Sequence, residues 1–124
     1  MDFSERIPIY IQVGDAIVKK IITGELKSGE KIPGIKDLAK IFKINANTVV
    51  KSLSELEAEG IIETRRGLGT FIVDDELIIE ETTNDYITER VNDVLKEFDS
   101  LGISKSRLID YIKESMCGND IKND

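Results

Sequence analysis

The sequence contains no histidine and no tryptophan, and only two prolines and one cysteine among its 124 residues. Without histidine there can be no His-ligated metal site and no His-based catalytic triad. The single cysteine, Cys117, cannot form an internal disulfide and is typical of a reducing compartment. The chain has no apolar run of the roughly 20 residues that a membrane helix needs, and its start lacks the features of a signal peptide. We therefore predict a cytoplasmic protein without a metal, a cofactor or a membrane partner.

The charges are unevenly distributed between two parts of the chain. Residues 1–73 carry 11 lysines and arginines against 10 carboxylates, a net charge of +1, whereas residues 74–124 carry 6 against 14, a net charge of -8. The apolar fraction of 40% and the charged fraction of 33% are those of a globular protein. The asymmetry predicts two functional parts, residues 1–73 and residues 74–124.

Apolar periodicity predicts three helices in the first part. The first has Pro8 in its first turn and ends near Gly24, and the second begins after Pro33. The third is capped by Asn45 and ends at Gly60, so that only two or three residues separate the second helix from the third. This is the spacing of a helix-turn-helix. The inward-facing positions are Val13, Ile17, Ile21, Leu38, Ala39, Ile41, Phe42, Val49, Leu53 and Leu56.

A β-hairpin follows the third helix. The segments "IIET" and "TFIV" are rich in β-branched and aromatic residues, and they flank the turn "RRGLG". The fold class that we predict is mainly α with a small β-hairpin. An N-terminal winged helix-turn-helix over residues 1–73 is followed by a two-helix C-terminal dimerisation element over residues 74–124, whose last helix is capped by Ser104.

The first of the two C-terminal helices has an apolar seam at spacings of four, three, four and three residues. This seam could pack against the last helix of the same chain or against a second copy. Because two helices alone make a thin core, the pattern favours a homodimer. The predicted dimerisation residues are Ile87, Val91, Val94, Phe98 and Leu101.

The outward face of the third helix presents small and hydrogen-bonding groups near the helix N-terminus. Asn47 can bond bidentately to adenine, Thr48 can reach a base or a phosphate, and Lys51 suits a phosphate. A recognition helix meets base edges with this end. An ordinary solvated helix face is the alternative. Tyr10 is expected to pack under the hairpin or at the domain junction, with a phosphate contact from its hydroxyl as the alternative.

The hairpin tip is cationic although the whole chain has a net charge of -7. Arg65 and Arg66 precede Gly67, and the two glycines of the turn allow the backbone to approach a partner closely. An arginine at such a tip can grip a phosphate or enter a narrow minor groove. The alternative is an edge strand guarded by charges.

The segment "IPIYIQVGDAIVKKIITGELKSGEKIPGIKDLAKIFKINANTVVKSLSELEAEGIIETRRGLGTFIV" resembles the DNA-binding domain of the GntR superfamily of bacterial transcription regulators. The motifs "GELKSGEKIP", "DLA", "NTV", "LEAEG" and "RRGLGTF" carry the resemblance, and the short C-terminal part is similar to that of the YtrA-like subfamily. The resemblance implies a homodimeric repressor of the kind often encoded beside ABC transporter genes. It implies DNA contacts from Lys36, Asn45, Asn47, Thr48, Lys51, Arg65, Arg66 and Gly67.

The sequence departs from the family's pattern at four positions. Gly34 stands where a capping serine is usual, and Lys36 replaces an arginine. Lys43 stands where glycine is common, so a positive φ at this lysine would cost on the order of 1 kcal/mol. Ala46 replaces a proline or an arginine, which leaves the base specificity at this position open.

These observations predict a sequence-specific DNA-binding transcription regulator, a homodimeric repressor that binds an inverted-repeat operator in double-stranded DNA. An unidentified small-molecule effector would act by changing the separation of the two DNA-binding heads. The alternative function is a winged-helix module for protein–protein interaction without DNA affinity. We do not expect an enzyme, because the sequence pairs no nucleophile with a base and has no cluster of metal ligands.

Overall fold

The computed structural model describes residues 6–119. Most of the tail at 118–124, for which the sequence predicts fraying, lies outside this range. Contacts divide the chain into two compact units, one ending at Asn84 and the other beginning at Asp85. The unit boundary thus falls inside a helix, and the domain boundary that the sequence predicts after Val73 stays a prediction.

The secondary structure consists of five α-helices and one antiparallel hairpin over the described residues, which confirms the predicted fold class. The elements are α1 (Ile9–Ile22), α2 (Ile35–Phe42), α3 (Ala46–Ala58), β1 (Ile62–Arg65), β2 (Gly69–Ile72), α4 (Glu76–Ser100) and α5 (Lys105–Glu114), followed by a π-helical turn (Ser115–Asn119). None of the described helices has the length and apolar character to cross a membrane.

The helix ends follow from local side-chain chemistry. The Oδ1 atom of Asn45 accepts a hydrogen bond from the backbone N–H of Thr48 at 2.9 Å, and Ser104 caps α5 in the same way. Both predicted caps are therefore confirmed. Pro8, however, is the N-cap of α1 and not its first helical residue.

The turn between α2 and α3 contains a strained lysine. Lys43 has φ 57° and ψ 49°, the left-handed conformation expected of glycine, at a cost of about 1 kcal/mol. Gly34 at the start of α2 provides no side-chain cap, as the sequence predicts. The tight turn forms despite this strain, so α2 and α3 are the two consecutive helices of a helix-turn-helix.

The core of the first unit lies where α1 and α2 pack on α3 and the hairpin closes one side. Ile79 from the start of α4 packs against this core. One predicted inward residue is wrong: Ile41 is 56% exposed, because the inner side of the short α2 is filled by the buried Leu38 and Phe42 and the partly buried Ala39. The buried apolar residues are Val13, Ile17, Ile21, Ile32, Leu38, Phe42, Val49, Leu53, Leu56, Ile61, Ile62 and Ile72.

The hairpin sheet is extended by a segment that the sequence analysis did not predict. Lys31 forms a β-bridge with Phe71 on the free edge of β2. The backbone N–H of Ile32 donates to the Thr70 carbonyl at 2.9 Å, and that of Ile72 donates to the Glu30 carbonyl at 2.8 Å. The wing is therefore a two-stranded hairpin whose free edge on β2 carries one isolated bridge from the segment around Lys31.

The C-terminal helices bury none of their described side chains. After α4, Gly102 takes a positive φ of 76°, and the N–H of Ile103 bonds to the carbonyl of Phe98 at 3.0 Å. Along the predicted seam Phe98 is half-buried, and the other members are 44 to 65% exposed. The last helix of the same chain thus leaves the seam uncovered.

Candidate nucleic-acid interface

The outward face of α3 carries Asn47 and Lys51, as the sequence predicts, together with Val50 and Ser54. Asn47, Val50, Lys51 and Ser54 are exposed, while the opposite face is buried in the core. The first two turns thus present an amide, a branched apolar group and an ammonium to solvent. This combination can read an adenine edge, a thymine methyl and a phosphate.

The cap of α3 restricts what two predicted DNA-binding residues can do. Oδ1 of Asn45 accepts hydrogen bonds from both the N–H and the hydroxyl of Thr48, at 2.9 and 3.0 Å. The amide NH₂ of Asn45 remains able to donate to a phosphate or a base acceptor. Because the Thr48 hydroxyl already donates its proton, it is left as an acceptor. In this arrangement the Thr48 hydroxyl can accept a hydrogen bond from a base amino group, whereas it has no proton left to donate to a phosphate oxygen.

The ammonium of Lys51 lies over the ring of Tyr10, with 4.1 Å between Nζ and the ring centroid. The neighbouring Ser52, the one buried polar side chain among the described residues, donates its hydroxyl proton to the Tyr10 carbonyl. Tyr10 therefore lies beside the recognition helix, which the sequence did not predict, and its packing under the hairpin or at the domain junction stays a prediction. The ring holds the lysine in position by a cation–π contact.

Charge is graded along α3. Its first half carries Lys51 and no carboxylate, its last turns carry Glu55 and Glu57, and Glu59 is its C-cap. Glu57 is engaged structurally, since its Oε2 accepts the N–H of Thr64 at 3.1 Å. The partial positive charge of the helix N-terminus adds to this gradient. A polyanion is therefore attracted to the N-terminal half of α3, where the exposed polar side chains are.

The two wing arginines differ in their partners. The guanidinium of Arg65 bonds to Oε1 of Glu63 at 2.7 and 3.0 Å and lies 4.2 Å from the centroid of the Phe71 ring. Arg66 is exposed and forms no ion pair within the described part of the chain. Gly67 has φ 77° and open space where a Cβ would stand. The tip thus offers one unpaired arginine and an accessible backbone.

The predicted DNA-binding residues fall in three places on the first unit. Lys36 is exposed in the first turn of α2, the residues from Asn45 to Lys51 form the start of α3, and Arg65 to Gly67 form the hairpin tip. Sequence reasoning did not predict the bridge from Lys31 to the edge of β2, because no strand was predicted around this residue. It also missed the contact between Tyr10 and Lys51, which no spacing within one helix could reveal.

A winged helix-turn-helix with an exposed recognition face and a cationic wing defines the class of DNA-binding transcription regulators. The family model "Bacterial regulatory proteins, gntR family" matches residues 9–72, and the chain belongs to this family. Its members are transcription factors and not enzymes.

Relatives over the full length make the likeness more specific. The repressor YtrA of Bacillus subtilis is 36% identical over 92% of this chain and 88% of its own, and the uncharacterized regulator YhcF of the same organism is 36% identical over 90% and 92%. The chain is thus a GntR regulator of the YtrA-like kind.

Solved structures support the same assignment. A GntR family transcriptional regulator from Listeria monocytogenes superposes with a TM-score of 0.81 at 32% identity, over 90% of this chain and 98% of that one. The DNA-binding domain of AraR in complex with operator ORX1 superposes with a TM-score of 0.53 at 30% identity, over 59% of this chain and 89% of that one.

Proposed function

We propose that this DNA-binding regulator is a homodimeric repressor that binds an inverted-repeat operator. The observation that carries the dimer is the uncovered apolar seam along α4 and the residue that follows it, in which Ile87, Val91, Val94 and Leu101 are exposed in the single chain. The likeness to the repressor YtrA over nearly the whole chain supports the sign of regulation.

Burial of the seam provides the driving force for the dimer. Fully burying one large apolar side chain contributes about 1.5–3 kcal/mol, and association loses roughly 4–15 kcal/mol of translational and rotational freedom. Several half-exposed side chains from each copy are therefore needed. The seam has its five members, and α5 adds the exposed Ile109, Ile112 and Met116.

In the proposed complex the start of α3 enters the major groove. Asn47 reads an adenine, Val50 contacts a thymine methyl, and Lys51 binds a phosphate. Lys36 and Asn45 bind the backbone, and Thr48 accepts from a base amino group. The wing, through Arg65, Arg66 and Gly67, follows the flanking backbone or minor groove.

The two-fold axis of the dimer determines the form of the operator. Its half-sites are inverted and lie about one helical turn, roughly 34–36 Å, or a multiple of that apart. Because the ligand is chromosomal DNA, we also propose that the protein acts in the cytoplasm. Regulation by a small-molecule effector stays a prediction.

The test is salt-dependent binding to genomic DNA fragments, including the region upstream of the protein's own gene, followed by footprinting. We expect tight binding to a few fragments and a slope of log affinity against log salt of about -5 to -9, corresponding to six to ten phosphates. Arg66→Ala and Lys51→Ala weaken this binding. Lys19→Ala, at an exposed lysine on the back of α1 that pairs with Asp15, is the matched control.

The result against the proposal is uniformly weak binding that neither wing nor helix variants change. The alternative, a protein–protein interaction module, would then stand. Transcription in vitro from a promoter that contains the footprinted site tests the sign of regulation. Repression lowers the transcript in proportion to operator occupancy, and a rise in the transcript identifies an activator instead.

A further inference from the structure

Lys31 belongs to the outer face of the wing. In the hairpin, Ile62 and Ile72 face the core, so side chains alternate and Glu63, Arg65 and Phe71 lie on the opposite, outer face. Lys31 is bridged to Phe71 and therefore shares this outer face.

The side chain of Lys31 crosses the backbone of Gly69 at the start of β2. A Cβ placed on Gly69 would lie 2.6 Å from Cε and 3.4 Å from Nζ of Lys31. Gly69 also has a positive φ of 117°. The absent side chain of Gly69 thus leaves room for the lysine, whose ammonium lies over the first residue of β2, directly after the turn.

The charges of the wing leave Lys31 uncompensated. Glu63 is the carboxylate on this face of the hairpin, and it is bound by the guanidinium of Arg65. Glu30 is turned to the other side, where its Oε1 accepts the backbone N–H of Lys27 at 2.9 Å. Lys31 makes no ion pair within the described residues. The unpaired positive charges of the wing are therefore those of Lys31 and Arg66.

We propose that Lys31 is a DNA-phosphate contact of the wing, and that Gly69 allows its ammonium to reach the tip. This inference rests on the proposed function. A phosphate contact contributes affinity that is independent of base sequence and falls with salt. A lysine forms such a contact as a point charge, so another cation at this position can replace it.

The test compares Lys31→Gln with wild type on two DNA fragments of equal length, the footprinted operator and a scrambled version of it. We expect the affinity to fall by roughly fivefold for each subunit at about 0.15 M salt, and the salt slope to shrink by about one for each subunit. The loss is equal for both fragments. Asn47→Ala, a base-contact variant, instead weakens operator binding selectively.

Four controls separate a phosphate contact from a structural role. Lys31→Arg keeps the affinity and the slope of wild type, and Lys19→Gln leaves both unchanged although it removes the same charge. The Tm of Lys31→Gln equals that of wild type. In a Gly69→Ala background, where the new Cβ displaces the lysine, Lys31→Gln has little further effect on the slope.

The inference is overturned if Lys31→Gln retains the wild-type salt slope while Arg66→Ala loses affinity. That outcome leaves the proposed function standing. If wild type itself does not prefer the operator to the scrambled fragment, the proposed function fails first and the inference fails with it.

Discussion

The two parts of this molecule use amphipathic helices in opposite ways. In the first, α1, α2 and α3 each bury residues against one another, and Val13 and Val49 are completely inaccessible to solvent. In the second, α4 and α5 bury none of their described residues. The apolar stripes of α1, α2 and α3 are therefore buried within the chain, whereas the seam of α4 stays largely exposed in the single chain.

The two parts also differ in net charge. The net charge is +1 up to residue 73 and -8 after it. The strongly acidic helix pair repels DNA. The polyanion is therefore directed to the first part, residues 1–73, which is termed the head. The head thus has a complete core in a single chain, and the acidic helices carry the exposed apolar surface.

The largest expected effect is on the core of the head. Ile17→Ala removes a side chain that is 1% exposed, and we expect the free energy of unfolding to fall by about 2–5 kcal/mol. Urea unfolding measures it. Ile9→Ala, at an exposed isoleucine of the same helix, should change it by less than about 0.5 kcal/mol. Equal losses for the two variants would contradict a core contained within the head.

The second effect concerns the acidic helices. Val91→Glu places a charge in the seam of both copies, and we expect the dimer to dissociate with an affinity at least about a hundredfold lower, near 3 kcal/mol. Sedimentation over a concentration series measures it. Asn92→Glu adds the same charge on the outer face of α4 and leaves the dimer intact. A monomeric wild type, or a Val91→Glu dimer of normal affinity, would refute the seam as the interface.

A smaller effect is expected at Lys43, in the turn between α2 and α3 of the head. Lys43→Gly relieves the positive φ of the turn, and we expect the head to become more stable by about 0.5–1 kcal/mol. Lys40→Gly, inside α2, should instead destabilise it by about 1 kcal/mol. Urea unfolding of both variants gives the two signs. Destabilisation by both would show that the lysine at 43 contributes more than its strain costs.

The smallest effect concerns Tyr10. Tyr10→Leu removes the ring under the Lys51 ammonium, and a contact of about 0.5–1 kcal/mol predicts a two- to fivefold loss of DNA affinity. Tyr10→Phe keeps the ring and should bind as wild type does. If the phenylalanine variant loses as much as the leucine variant, the hydroxyl is the functional group, as in a phosphate contact.

Most elements of this fold could be predicted from the sequence because each leaves a local signal. Asn45 and Ser104 cap their helices where the pattern places them, and the apolar residues of α1 and α3 repeat with the helical period. The exposed face of α3 follows from the same period. The positions of the candidate site residues could therefore be predicted.

What the sequence could not supply are contacts between distant residues. The segment around Lys31 forms a single bridge to Phe71, and it has no alternation of apolar and polar residues that would predict a strand. The hydroxyl of Ser52 finds the Tyr10 carbonyl 42 residues away. The pairing of Arg65 with Glu63 depends on the strand geometry, which brings alternate side chains to one face. Sequence periodicity describes a helix or a strand by itself, and these contacts need the tertiary fold.

The buried hydroxyl of Ser52 has a consequence for local unfolding. The first turn of a helix normally opens at little cost in free energy, and its amides exchange hydrogen quickly. Here the first turn of α1 is hydrogen-bonded to the middle of α3, so opening it breaks a bond that solvent cannot replace without entering the core. We therefore expect the amides in the first turn of α1 and in the middle of α3 to exchange hydrogen together, and more slowly than those of an ordinary helix start.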